Sequence, residues 1–284
     1  MAANLIDGKA IAATIREEVA AEVSKLKEEG INPKLAVVLV GDDPASVVYA
    51  NSKKNAGTKL GFEFELFHLP GSTQEEEVIA LIEKLNGDET VHGIMVELPL
   101  PKHISKERVM KTVSPLKDVD GVHPINRGYI LSGEEGLFPA TPESCIEVIK
   151  RSGLPIAGKH AVIVGRGETV GKPLVFMILK ENATVTVCHS RTPDLAYHTR
   201  QADILIAAVG KAKMIKADMI KPGAVVVDAG INEIDGGICG DVDFEAAKEV
   251  AGWITPVPGG VGSLTTALIY RNVLKGIRLQ RQQQ

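Results

Sequence analysis

Short apolar runs recur along this chain with helix-patterned segments between them, and that alternation is the tightest restriction on its fold. The runs read LAVVLVG (35–41), FEFELFHL (62–69), GIMVEL (93–98), HAVIVG (160–165), ATVTVCH (183–189), DILIAAVG (203–210) and AVVVDAG (224–230). Between them, residues 44–60, 74–85, 142–151 and 170–180 show 3.6-residue apolar spacing or helix-start residues. Continuous apolar strands separated by helices specify parallel sheets covered on both faces, an α/β class. Residues 115–142 lack a sustained period and carry several Gly and Pro, as a connection between two α/β units does. The 284 residues are enough for two domains of ordinary size.

Charge and cysteine usage narrow the function. The net charge of −4 and the interspersed signs give no electrostatic footprint for nucleic acid. No apolar run reaches membrane-spanning length, so no membrane partner is expected. Asp7, Lys9 and Arg16 interrupt the start of the chain where a signal peptide needs an apolar stretch. Cys145, Cys188 and Cys239 are odd in number and far apart, which suits a reducing compartment. The expected location is the cytoplasm, or an organelle matrix after presequence removal. The histidines show no metal-ligand spacing, and no protein-bound metal is expected. The tail RLQRQQQ is expected to fray.

HAVIVG runs into Arg166-Gly167-Glu168-Thr169-Val170-Gly171 and then a helical pattern. Strand, glycine turn and helix are the setting of a dinucleotide site, where Gly165 and Gly167 admit a pyrophosphate to the backbone and the helix N-terminus supplies free amides. The spacing G-x-G-x-x-x-G is one residue longer than the common pattern, and alone it equally suits a tight turn. The following strand ends in Ser190-Arg191-Thr192, with no Asp or Glu from Thr184 to Pro193. A carboxylate there would grip ribose hydroxyls; hydroxyl and guanidinium groups, with Arg166 from the glycine turn, suit a 2′-phosphate. The cofactor read from this is NADP. The residues thus point to two α/β units, with the dinucleotide site in the C-terminal one. A helix at 263–279 is expected to return to the first domain.

In the N-terminal half, Asp43 and Pro44 form a helix start. Tyr49 and Lys53 lie one turn apart on that helix. A planar-substrate shelf beside an acid–base group fits them, and so does a half-buried Tyr beside a solvated Lys. Glu97 falls inside an apolar strand near its carboxyl end, where open α/β sheets bind ligands, so it must be paired or functional. Asp118 and Asp120 in KDVDG suit turn formation or acceptance of hydrogen bonds from a heterocycle.

GDDPASVVYANSKK, GIMVELPLP, KDVDGVHPIN, FPATPESC, VGRGETVGKP, ATVTVCHSRT, MIKPGAVVVDAGIN and TPVPGGVG occur in that order. Together they resemble the methylenetetrahydrofolate dehydrogenase–cyclohydrolase family over nearly the whole chain. The resemblance implies an N-terminal three-layer α/β domain over 1–120 and a Rossmann-type domain over 140–262 with a cleft between them, tetrahydrofolate substrates, and a homodimer formed through the Rossmann domain. It implies two reactions: hydride transfer from 5,10-methylenetetrahydrofolate to NADP, then hydrolysis of the methenyl cation to 10-formyltetrahydrofolate. It gives Lys53 as the catalytic lysine, Tyr49 as the ring that stacks on folate, and Asp120 as the acid that grips the pterin. It puts Glu97 with them, Leu98, Pro99, Pro258, Gly259 and Gly260 against the substrate, and Thr141, Gly165, Arg166, Gly167, Ser190, Arg191 and Ile231 against the cofactor.

This chain departs from the family pattern at Glu97, where Gln is usual. Gly167 stands for Ser, Ala140 for Cys, and Ser263-Leu264 for Pro-Met. Losing the hydroxyl at Gly167 is expected to cost about 1 kcal/mol of affinity. A carboxylate about 4 Å from Lys53 favours the ammonium by about 4 kcal/mol at an effective dielectric of 20. One alternative is therefore a dehydrogenase with weak or no cyclohydrolase activity. An NADP enzyme of the shikimate dehydrogenase type and a non-catalytic dinucleotide sensor are the others.

Overall fold

A computed structural model describes residues 2–282. The chain divides into two units: Ile15–Phe138 with the segment from Thr266 onward, and Pro139–Thr265 with the segment up to Thr14.

Helix α1 (Gly8–Glu28) enters the first unit and buries Ile15, Val19, Val23 and Leu26, one stripe at helical spacing. Then come β2 (Lys34–Val40), α2 (Pro44–Leu60), β3 (Glu63–Leu69), α3 (Glu75–Gly87), β4 (Gly93–Val96), α4 (Lys106–Thr112) and α5 (Pro124–Ser132). The sheet is parallel in the order β3-β2-β4. Central β2 buries six consecutive residues because helices cover both its faces, whereas edge strand β3 alternates exposed and half-buried positions. Each buried aliphatic contributes roughly 1.5–3 kcal/mol, so Val38, Ile82, Val96 and Val109 together outweigh any surface pair. Helix α10 (Thr265–Arg281) adds Tyr270, Val273, Leu274 and Ile277 to this unit's core.

Two expectations need correction here. Residues 115–142 contain α5, started by the His123 side chain, which accepts from the Ile125 amide at 3.1 Å. The tail is helical to Arg281, held by Arg278–Glu22 and Arg281–Glu29 ion pairs at 2.6 and 2.7 Å; Gln283 and Gln284 lie outside the described residues.

The second unit contains a six-stranded parallel sheet, β1-β11-β8-β7-β5-β6. Its strands are β1 (Asn4–Leu5), β5 (His160–Val164), β6 (Thr184–Cys188), β7 (Ile204–Ala207), β8 (Val225–Asp228) and β11 (Trp253–Ile254). Helices α6 (Ala140–Arg151), α7 (Gly171–Lys180), α8 (Leu195–Thr199) and α9 (Phe244–Ala247) accompany it, with a hairpin of β9 (Asn232–Ile234) and β10 (Gly237–Cys239). The segment up to Thr14 is grouped with this unit. The β1 strand pairs Asn4 with Trp253 and Leu5 with Ile254. No helix among the described residues is long and apolar enough to cross a membrane.

Candidate active site

The carboxyl ends of β2 and β4 lie on one edge of the three-stranded sheet, because parallel strands run the same way. After Val40 the chain turns at Gly41 (φ 86°), and Asp43 caps α2 by accepting from the Ser46 amide at 2.9 Å. Those hydrogen bonds hold the Asp43 carboxyl below its usual range. Ser46 also lies 3.0 Å from the Leu98 carbonyl oxygen, joining the helix start to the segment after β4. Glu97, expected within the strand, is the residue just beyond it, though its amide still bonds the Val38 carbonyl at 2.9 Å.

Lys53 Nζ donates to Glu97 Oε1 at 2.7 Å, and both residues are buried. The solvated-lysine reading is thereby excluded. Removing one member of such a pair would leave an uncompensated buried charge, a cost of about 3–5 kcal/mol. Nζ lies 5.8 Å from the Tyr49 ring centre, while the ring is 60% exposed and free to take a planar partner. Tyr270 fixes the helix from behind: its buried hydroxyl donates to the Lys53 carbonyl at 2.7 Å. A side chain at Gly57 would collide with that hydroxyl, so glycine there lets α2 approach α10.

The charged residues of KDVDG divide their work. Lys117 donates to the carbonyls of Leu85, Asn86 and Asp88 at 3.1, 2.8 and 2.7 Å, capping α3. Asp118 accepts from the His123 amide and Asn126 Nδ2 at 2.8 and 2.9 Å, and burial outweighs those bonds to raise its carboxyl. Val119 packs against Gly93. Asp118 is thus the turn former, and Asp120 is left over. No described side chain or amide bonds the Asp120 carboxyl. No buried side-chain polar atom among the described residues lacks a partner, so its free oxygens reach the surface of the site. Half-covered yet closely surrounded, Asp120 is pushed up to about 6 by desolvation, then by Asp118 and Glu97, with Lys53 and Lys106 opposing. Leu98 and Pro99, joined by a cis peptide, are exposed beside this cluster in the chain.

In the six-stranded unit, the turn after β5 opens a pocket of about 240 Å3. Its walls include Gly165, Arg166, Gly167, His189, Ser190 and Lys211, with no carboxylate. Gly165 (φ 122°) cannot carry a side chain, which would strike the Ala208 carbonyl; one at Gly171 would strike the Gly165 carbonyl. Gly167 meets nothing within 4 Å, so only an incoming group could require its smallness. Arg166 has no ion-pair partner among the described residues. Unneutralised cations, a hydroxyl and exposed amides at a helix start fit a phosphorylated dinucleotide. Arg191 is exposed outside the lining, its amide bonded to His189 Nδ1.

Two buried aspartates peg the loops beyond β7 and β8. Asp241 accepts from the amides of Val209, Gly210 and Lys211 at 2.6, 3.0 and 2.8 Å, and from Asn232 Nδ2 at 2.9 Å. Asp228 accepts from the amides of Gly230, Asp241 and Val242, and burial, with Asp241 nearby, still raises it to about 6. Side chains at Gly230 and Gly240 would overlap these carboxylates. Sequence reasoning missed this pair, as it missed Tyr270. Ile231 is 60% exposed on the loop so fixed. Thr141 lies half-buried in the first turn of α6. Pro258, Gly259 and Gly260 form a loop with a cis Val257-Pro258 bond, and Gly260 lies too close to Pro256 and Thr255 for any side chain. That loop belongs to the six-stranded unit, whereas Tyr49, Lys53, Glu97 and Asp120 belong to the other.

Family models described as the catalytic domain and the NAD(P)-binding domain of tetrahydrofolate dehydrogenase/cyclohydrolase match residues 6–120 and 139–281. "Bifunctional protein FolD 2" of Desulfitobacterium hafniense (strain Y51) is 73% identical over 281 residues, covering 99% of both chains. The crystal structure of the bifunctional enzyme FolD, methylenetetrahydrofolate dehydrogenase/cyclohydrolase, from Campylobacter jejuni is similar at a TM-score of 0.95 and 45% identity, covering 98% of this chain and 100% of that one. The Trypanosoma brucei methylenetetrahydrofolate dehydrogenase-cyclohydrolase (FolD), complexed with NADP cofactor and inhibitor, aligns with a TM-score of 0.91 at 34% identity over 99% of each chain. These matches cover both units, and the chain belongs to the tetrahydrofolate dehydrogenase/cyclohydrolase family.

Proposed function

We propose that this enzyme oxidises 5,10-methylenetetrahydrofolate with NADP and hydrolyses the methenyl product to 10-formyltetrahydrofolate, using Lys53, Glu97, Asp120 and Tyr49. The observation that carries the residue assignment is the buried Lys53–Glu97 pair beside the unbonded Asp120 carboxyl. Family membership sets aside the shikimate-type and sensor readings.

Tyr49 offers its exposed face to the flat folate, and Asp120 accepts hydrogen bonds from the pterin's amino and ring N–H groups. NADP, held by Gly165, Arg166, Gly167 and Ser190, supplies the hydride acceptor when bound. Loss of hydride leaves positive charge on the folate. The Glu97 carboxylate favours that charge, and it also balances the lysine that would otherwise oppose it. In the second reaction water adds to the methenyl carbon and must shed a proton. An ammonium accepts a proton only after giving one up, and Glu97 Oε1, 2.7 Å from Nζ, is placed to receive it. The pair thus serves both steps: Lys53 relays the water's proton and Glu97 takes it. The ion pair that raised the expectation of weak hydrolysis supplies a proton route for it, and relatives named as bifunctional agree with two activities.

Dimerisation and cytoplasmic location belong to the same proposal. Edge strand β6 is open on one side and exposes Val187, and α7 exposes Phe176 and Leu179. An open edge beside apolar side chains is a surface that a second copy can cover. All three cysteines are free, as a reducing compartment allows.

The test is an ultraviolet assay of methylenetetrahydrofolate oxidation with each dinucleotide. Absorbance of the methenyl product should rise with NADP and then decay. No rise with either dinucleotide would refute the assignment.

A further inference from the structure

Gly165, Ser190 and Val209 follow the carboxyl ends of β5, β6 and β7, but the opposite end of the six-stranded sheet is also hollow. There the amino ends of β5, β7, β8 and β11 border a separate pocket of about 320 Å3. The length of β5, roughly 16 Å, separates it from the glycine turn. Strand register sets Trp253, Val225 and Ile204 abreast, so all three side chains share one face at this pocket. Trp253 is the single tryptophan of the chain and is half-buried. Its indole N–H has no hydrogen-bond partner among the described residues, and no buried side-chain polar atom among them lacks one, so that N–H is reachable from outside. Asp203, just before β7, accepts from Lys221 Nζ at 2.6 Å and from the His160 amide at 3.0 Å. Those two bonds, Lys221 first, hold its carboxyl below the usual range, so it stays charged and neutralises Lys221. Lys159 acts on Asp203 through space, yet its ammonium makes no ion pair or hydrogen bond among the described residues. With Lys159 and Lys221 set against Asp203, the lining carries one spare positive charge.

We propose that this pocket binds a small aromatic carboxylate, at a site separate from those for the dinucleotide and the folate. Trp253, Pro155 and Pro222 offer flat apolar faces to a ring, and Leu154 and Ile204 add aliphatic surface. Lys159 supplies the charge for one carboxylate, and the unbonded indole N–H is a second donor for it. A phosphate dianion carries more charge than the lining can balance, a cation is repelled by Lys159, and a neutral ring leaves Lys159 unmatched. The volume lies at the small end of the range for ligand pockets, which suits a single ring with a short substituent. Because Lys159 is only half-buried, its ion pair is partly screened by salt, and the ring and the charge must act together.

The experiment titrates the full-length protein with benzoate and follows the fluorescence of Trp253, which reports this pocket alone because no other tryptophan is present. Acetate, which has the charge without the ring, and benzyl alcohol, which has the ring without the charge, are the comparisons. Benzoate should give a saturable change with a Kd on the order of 1 mM, as its few atoms allow, and the same Kd with NADP at saturation. Acetate and benzyl alcohol should bind at least about tenfold more weakly. Lys159→Ala should raise the benzoate Kd about three- to fivefold, and added salt should raise it in the wild type. Lys216→Ala removes an exposed cation of the same unit outside the pocket and should leave the Kd unchanged. A Kd does not depend on the fraction of protein that is folded, so a less stable variant still gives an answer. A response that never saturates would overturn the proposal, as would one matched by acetate or benzyl alcohol, or one displaced by NADP. A Kd unaltered in Lys159→Ala, or raised equally in Lys216→Ala, would overturn it too.

Discussion

Asp120 is a carboxyl that no group among the described residues bonds, and at about 6 it changes charge close to neutral pH. Its folded value lies above the ordinary 3.8, so the fold disfavours the charged form. That penalty is full at neutral pH and fades as pH falls through 6 towards 4. Asp120→Asn should therefore raise stability near pH 8 by on the order of 1 kcal/mol, and by less near pH 5, in denaturant titrations. The same variant should raise KM for the folate about tenfold, and the wild-type KM should climb as pH drops below 6. A KM indifferent to both changes would remove Asp120 from substrate binding. At the other site, Ser190→Asp puts a carboxylate where the 2′-phosphate is expected. The preference for NADP over NAD, as a ratio of kcat/KM, should fall at least about tenfold, and an unchanged ratio would refute Ser190's role.

Elements differ in how far sequence reveals them, and the reasons are physical. Helix α2 runs from Pro44 to Leu60 as the sequence indicates, because its start is a local signal, Asp43 then Pro44. Helix α5 escapes the same reading because its apolar spacing misleads: Ile125 and Leu131 are exposed while Asn126 is buried, bonded to Asp118 and Pro115. Strands β1 and β11, of two residues each, exist only through pairing and leave no periodic trace. Lys53, Glu97 and Asp120 could be named from sequence, but not the separate duties of Asp118 and Asp120, which depend on where α5 begins. The pegs beyond β7 and β8 were illegible because Asp228 and Asp241 meet across different loops. Asp241→Ala frees three amides and Asn232 at once and should destabilise the protein by about 3 kcal/mol. Since Val209 and Lys211 line the pocket proposed for the dinucleotide, KM for NADP should rise more than KM for the folate; equal effects would mean the peg is only structural.

The molecule's two units exchange chain ends, for the residues before Ile15 join the six-stranded unit and those after Thr265 join the other. Tyr270 and Asn272, from the end of the chain, bond the carbonyls of Lys53, Val119 and Phe138. A fragment ending at Phe138 lacks them and should show no cooperative unfolding by circular dichroism; a sharp transition would show that α10 is dispensable. The proposed mechanism has one buried lysine–carboxylate pair, Lys53 and Glu97, serve two reactions. Hydrolysis of added methenyltetrahydrofolate by Lys53→Ala, with NADP binding followed in parallel, tests that most directly. Decay should fall at least about a hundredfold while NADP binding persists, whereas decay at the wild-type rate would contradict the account.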